Sequence, residues 1–126
     1  MAGKILIVDD ADTLRFSMEI QLRKKSYVTS SARNGKEALE MIQDLKKTGD
    51  HFDLIITDII MPEMSGIDLI KKLKELNNES RFLVVTGYLN DEYKSRLKDL
   101  GQRYVLEKPF DIEMLDEMVI HCMEKA

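Results

Sequence analysis

Ile5-Leu6-Ile7-Val8-Asp9-Asp10 places four apolar residues, three of them β-branched, directly before two carboxylates. The run is continuous rather than alternating, which is how a strand buried on both faces of a parallel sheet reads. Leu54-Ile55-Ile56 and Phe82-Leu83-Val84-Val85 have the same form, and weaker strands fall near 27–31 and 104–106. The segments between them carry helical spacing. Leu14, Met18 and Leu22 mark the first, Ala38, Ile42 and Leu45 the second, and Ile67, Ile70, Leu73 and Leu76 the third. Tyr93, Leu97 and Leu100 mark the fourth, and Ile112, Leu115, Val119 and Cys122 the last. Strand and helix alternate five times. That order predicts an α/β fold, a single (βα)5 parallel sheet with right-handed crossovers and helices on both faces.

The 126 residues suit one domain, read as spanning 1–126. Lys plus Arg number 19 and Asp plus Glu 23, a net charge of −4 that argues against a nucleic-acid footprint or a polybasic membrane patch. Lys71, Lys72 and Lys74 read as the solvated face of the third helix. Hydrophobic residues at 44% and charged ones at 33% fit a folded chain with a real core. No apolar stretch approaches the roughly 20 residues that span a bilayer. Met1-Ala2-Gly3-Lys4 leads into a run too short for a signal-peptide core, so a cytoplasmic location is expected. The single Cys122 lies in the stripe of the last helix and reads as a small buried hydrophobe.

Punctuation agrees with this division. Asn34 followed by Glu37 has the form of a capping box for the second helix, and Asp111 can cap the last. Gly101 marks the end of the fourth.

The chemistry collects at the strand ends. Asp9 and Asp10 come directly after the first strand and Asp58 after the third, Thr86 closes the fourth, and Lys108 comes after the fifth. In a parallel sheet the C-terminal ends share one rim, where ligands bind. Three carboxylates, a hydroxyl and an ammonium should therefore converge. Lys108 alone cannot balance three carboxylates, because like charges oppose one another's ionisation. A divalent cation can, and an all-oxygen set favours Mg²⁺. His51 and His121 stand apart from these positions and read as surface residues. A metal, a hydroxyl and an ammonium together suit a transferring phosphoryl group. Asp58, at the central strand, is the candidate nucleophile.

These residues resemble a known family. Val8-Asp9-Asp10, Thr57-Asp58-Ile59-Ile60-Met61-Pro62-Glu63-Met64-Ser65-Gly66, Val85-Thr86-Gly87 and Lys108-Pro109-Phe110 are similar to the motifs of response regulator receiver domains of two-component systems. The resemblance implies a flavodoxin-like sheet of order 2-1-3-4-5. It implies that Asp58 accepts a phosphoryl group from a histidine kinase or phosphotransfer protein. Asp10, Asp58 and the Ile60 carbonyl would ligate Mg²⁺, with Asp9 acting mainly through water. Thr86 and Lys108 would hold the phosphoryl oxygens. A cis peptide between Lys108 and Pro109 is implied too, as is a downstream protein partner bound at the face of the fourth helix, fifth strand and fifth helix.

Four departures stand out. Val105 occupies the place, three residues before the Lys, where the family usually has an aromatic switch residue, with Tyr104 beside it. A one-residue offset turns a strand side chain to the other face, so Tyr104 is not expected to substitute. Ser65 stands where Asp is common, and Gln102 where Ala is common. Ile60 and Tyr88 each stand two residues past a site residue. Ile60 offers no group to orient an attacking water, and Tyr88 offers a ring to cover the site. Slow self-dephosphorylation is the expectation.

Three other classes compete. A Mg²⁺-dependent phosphohydrolase with an aspartate nucleophile would want a second carboxylate two residues on, where Ile60 stands. A flavin module would want a Ser/Thr/Gly-rich phosphate loop after the first strand, where Asp9-Asp10-Ala11-Asp12 would repel a phosphate. A phosphorylation-independent binding module would not require the complete site.

Overall fold

Among the described residues ten elements alternate: β1 (Lys4–Val8), α1 (Asp12–Lys24), β2 (Val28–Ala32), α2 (Gly35–Lys47), β3 (Leu54–Thr57), α3 (Gly66–Glu75), β4 (Arg81–Thr86), α4 (Asp91–Asp99), β5 (Val105–Glu107) and α5 (Ile112–Glu124). They come from a computed structural model that describes residues 3–124. Residues 1, 2, 125 and 126, reached by the sequence reading of the amino terminus and of the domain bounds, lie outside the described residues. The sheet is parallel throughout in the order β2-β1-β3-β4-β5. No described helix is long and apolar enough to cross a membrane.

The continuous apolar runs are central strands because each of their side chains has a layer to enter. Leu6, Val8, Ile55, Phe82 and Val84 face one way, into a core shared with Ala38 and Ile42 of α2, Ile67 and Ile70 of α3, and Leu97 of α4. Ile5, Ile7, Leu54, Ile56, Leu83 and Val85 alternate with them and meet Met18 and Leu22 of α1 and Leu115, Val119 and Cys122 of α5. A fully buried side chain of this kind stabilises the fold by about 1.5–3 kcal/mol. The two edge strands explain their weak sequence signal. β2 is Val-Thr-Ser-Ser-Ala, only its last residue being buried, and β5 has 3 residues.

Two positions in the helical stripes differ from the sequence reading. Leu76 is the C-cap of α3, and Ile112 is the first residue of α5. Both are exposed, at helix ends where one side of the turn has no neighbouring turn to cover it. The cap at α2 forms in part. Asn34 accepts from the Glu37 N–H at 2.8 Å, but the Glu37 carboxylate turns to the Arg33 N–H rather than back to Asn34. Asp111 accepts from the Met114 N–H at 2.9 Å. Gly101 follows the C-cap of α4 at φ 74°, a left-handed conformation that costs glycine little.

Candidate functional site

Register places the rim. Val8 pairs with both Ala32 and Thr57, and Thr57 with Val84. The residues just beyond β1 and β3 therefore emerge side by side, and the Asp58 N–H still donates to the Val8 carbonyl at 3.2 Å. On the other side, the Lys108 N–H donates to the Thr86 carbonyl at 2.9 Å. Chain segments distant in sequence thus deliver their polar residues to one place.

Lys108 is the hub. Its Nζ donates to Asp58 Oδ2 at 2.8 Å and to Asp9 Oδ2 at 3.1 Å. The Lys108–Pro109 peptide is cis, as the resemblance implies. Asp9 and Asp58 are buried and Asp10 is exposed, yet all three offer carboxylate oxygens within 4.8 Å of one another. The remaining oxygens of the two inner acids are tied to the main chain. Asp9 Oδ1 accepts from the Ala11 N–H at 2.9 Å, and Asp58 Oδ1 from the Ile59 N–H at 2.6 Å.

The electrostatics follow from this burial. Removal from water pushes the Asp9 carboxyl above its ordinary pKa; the Ala11 N–H and Lys108 oppose the push, and the charge on Asp58 adds to it. Burial works to lower the Lys108 pKa, but its hydrogen bonds to Asp58 and Asp9 outweigh it and leave the ammonium raised. One ammonium thus shares two inner carboxylates while Asp10 completes a third, and the cluster carries surplus negative charge. All-oxygen donors with that surplus fit a hard divalent cation such as Mg²⁺.

Thr86 is placed at the rim but turned aside. Its hydroxyl accepts from the Tyr88 N–H at 3.2 Å and faces the Tyr88 carbonyl at 3.3 Å. The Tyr88 ring, exposed, meets the Tyr93 ring of α4 edge-on with centroids 6.0 Å apart. Ile60 is also exposed, 52% of its surface facing solvent. Val105 packs with the α2–α3–α4 layer and Tyr104 with the α1–α5 layer, so the two do lie on opposite faces. Ser65 caps α3, accepting from the Asp68 N–H at 3.1 Å. Gln102 clasps two strands, its amide donating to the Phe82 carbonyl at 2.7 Å and the Tyr104 carbonyl at 2.9 Å. His51 and His121 are exposed and take no part in the cluster.

Two contributors escaped the sequence reading. Arg15 donates to the Asp9 carbonyl at 2.8 Å and to Asp12 at 2.6 Å, bracing the turn that presents Asp9 and Asp10. Nothing in its spacing signals this; an arginine one turn into a helix is ordinary. Gly66 closes the motif that begins at Thr57-Asp58, and its physical reason is visible only in three dimensions. A Cβ there would stand 1.8 Å from the Asp58 carbonyl oxygen, so only glycine lets α3 start against the loop that follows Asp58. The same loop carries Glu63 at φ 69°.

A parallel 2-1-3-4-5 sheet with an acid cluster and a lysine at its C-terminal rim defines a class of signalling domain, and the comparisons agree. The profile of the response regulator receiver domain matches residues 5–120, and the chain belongs to that family. It is 33% identical over 119 residues to sporulation initiation phosphotransferase F of Bacillus subtilis, covering 94% of this chain and 92% of that protein. It is 31% identical over 124 residues to the sensor kinase CckA of Brucella abortus, covering 98% of this chain but only 13% of that much longer protein. The solved structure of chemotaxis protein CheY4 of Vibrio cholerae superposes with a TM-score of 0.86 at 29% identity, over 97% of this chain and 99% of that one. The chain is therefore a receiver domain of two-component systems, a class of signalling switches.

Proposed function

We propose that this receiver domain is switched by phosphorylation of Asp58. The observation that carries the reading is the contact of Lys108 with both Asp58 and Asp9, made from a strand end 50 residues beyond the acceptor. In the transfer, an Asp58 carboxylate oxygen attacks phosphorus while the bond to a histidine nitrogen of the donor breaks, and the imidazole leaves. The donor is a histidine kinase or a phosphotransfer protein.

Asp9, Asp10, Asp58 and the Ile60 carbonyl would hold Mg²⁺, which supplies charge neutralisation for the phosphoryl oxygens. Lys108, already against Asp58, stabilises charge on those oxygens. Thr86 leaves its bond with the Tyr88 main chain to donate to a phosphoryl oxygen. An aspartyl phosphate of about −1.5 to −2 charge draws Thr86 toward Asp58, where Lys108 already stands, and biases the packing of α4, β5 and α5. A partner that prefers one packing reads the signal, and a coupling of about 1–3 kcal/mol is enough.

Intact-mass measurement after treatment with a small phosphodonor tests this. The expected gain is roughly 80 Da, requiring both Mg²⁺ and Asp58. A protein that gains no mass, or gains it equally as Asp58→Asn, would be a binding module with an unused site.

A further inference from the structure

Of the three acids in the cluster, one is held differently. Asp9 and Asp58 each have one oxygen on Lys108 and the other on a main-chain N–H. Asp10 is exposed, and among the described residues its carboxylate takes neither kind of bond, yet it lies within the same 4.8 Å cluster. Its place is therefore set by the main chain that carries it. On the sheet side, the Asp9 N–H donates to the Ala32 carbonyl at 3.2 Å. The next peptide unit, which joins Asp9 to Asp10, is held from α1: its carbonyl accepts from Arg15 Nη1 at 2.8 Å. We propose that Arg15 is a positioning residue for the divalent cation. By holding the Asp9–Asp10 peptide it sets Asp10 against the other two acids, and so sets the affinity of the cluster for Mg²⁺. The proposal rests on the metal-dependent phosphorylation of Asp58 proposed above and deepens it.

The arrangement has a local cause. The residue that caps α1 is Ala11, which has no side-chain oxygen to give the first turn. The passage from β1 into α1 thus lacks the tie that Asn34 and Ser65 supply at α2 and α3. Arg15 supplies one from inside the helix. Its second terminal nitrogen donates to Asp12 at 2.6 Å, so one planar guanidinium grips the turn at two points in a fixed geometry. The Arg15 side chain is only 14% exposed, whereas Asp12 is 82% exposed. The guanidinium is covered by the turn that it braces.

Two effects of opposite sign meet here. A positive charge near the cluster repels a cation, while a fixed ligand binds it more tightly. Asp12 settles the balance, because its carboxylate neutralises the guanidinium within the same turn and leaves little net field at the acids. Position then outweighs charge. Groups that orient metal ligands are typically worth about 10–100-fold in affinity, and Arg15, acting through the main chain, belongs at the lower end.

Calorimetric titration of Mg²⁺ into the unphosphorylated chain tests this without a phosphodonor. Arg15→Ala is expected to raise the dissociation constant about tenfold. Arg15→Lys keeps the charge and one donor but loses the two-point grip, and should raise it about threefold. Arg23→Ala removes a charge from the same helix, where it bonds Thr29 and Glu19 instead, and should leave the constant unchanged. Mass gain at Asp58 then separates binding from chemistry. In Arg15→Ala the half-saturating Mg²⁺ should rise with the dissociation constant, while the rate at saturating Mg²⁺ stays within about twofold of the parent. Urea denaturation in the presence of a chelator verifies the fold of each variant.

Tighter Mg²⁺ binding by Arg15→Ala overturns the proposal, since charge then outweighs position. So does an unchanged constant, an equal rise in Arg23→Ala, or a rate that falls at saturating Mg²⁺ with the constant unmoved. If Arg15→Ala does not fold, Arg15→Lys carries the test, and an unchanged constant there overturns the proposal. A parent chain that binds Mg²⁺, responds to Arg15→Ala and never gains mass rejects phosphorylation and leaves the role of Arg15 standing. One that gains mass with a Mg²⁺ affinity indifferent to Arg15 does the reverse, and one that binds no Mg²⁺ rejects both.

Discussion

Gly66 lies so close to Asp58 that a Cβ on it would be 1.8 Å from the Asp58 carbonyl oxygen. The Gly66 N–H also donates to the Ile59 carbonyl at 2.8 Å, so the start of α3 and the loop after Asp58 are one packed unit. Gly66→Ala cannot be absorbed by a side chain, because the atom it meets is backbone. The variant is expected to lose about 2 kcal/mol or more of stability and to displace the acceptor carboxylate. Urea denaturation measures the first, and the rate of mass gain from a phosphodonor the second. Gly87→Ala is the contrast: its Cβ would meet Lys108 Cδ at an ordinary 3.7 Å, and its stability should stay near that of the parent.

Lys108 balances two inner carboxylates at once. Lys108→Met leaves Asp9 and Asp58 facing each other without a cation. Breaking a fully buried pair costs roughly 3–5 kcal/mol, and the 23% exposure of the Lys108 side chain places this loss below that range. Adding Asp9→Asn removes one of the stranded charges. The double variant should therefore be more stable than the Lys108→Met single variant, a non-additivity that a denaturation cycle detects.

Ile60 and Tyr88 are exposed, each two residues past a residue of the acid cluster or its rim. The Ile60 side chain has no hydrogen-bonding group to orient a water for in-line attack, and the Tyr88 ring stands edge-on to Tyr93, so an aspartyl phosphate is expected to be long-lived. Ile60→Asn introduces an amide at that position and is expected to speed phosphate loss severalfold, read as the decay of the mass-shifted species. An unchanged decay rate would show that residue 60 has no part in setting it.

Burial pushes the Cys122 thiol up to about 11, with Arg81 opposing the push. In the unfolded chain the thiol titrates near 9.0. The unfolded state therefore loses its proton first as pH rises, and stability falls between about 9 and 11, by up to ~1.4 kcal/mol per unit. Cys122→Ala should flatten that part of the stability curve. In the native protein at neutral pH the thiol should react with a disulfide reagent only as fast as the chain opens.

The central strands are plain in the sequence because burial on both faces demands unbroken apolar residues, as in Leu54-Ile55-Ile56. The edges were not. β2 presents Thr29, Ser30 and Ser31 to a half-solvated environment, so its composition resembles a loop. Helix ends are legible where a side chain caps them, as at Asn34 and Asp111, and the apolar stripe overstates burial at the terminal positions, Leu76 at the C-cap of α3 and Ile112 at the first residue of α5. The acids, threonine and lysine of the site were legible from their place after strands.

Sequence alone determined which residues reach the rim, because parallel strands must end on one side and the residues just beyond them must meet there. The tertiary structure alone decided how they meet. It made Lys108 the shared partner of Asp9 and Asp58, turned Thr86 toward the Tyr88 main chain, and set Arg15 against the Asp9 carbonyl. Those outcomes depend on distances between elements far apart in the chain. Local pattern carries no record of them, since a hydrogen bond or a void is set by packing in three dimensions.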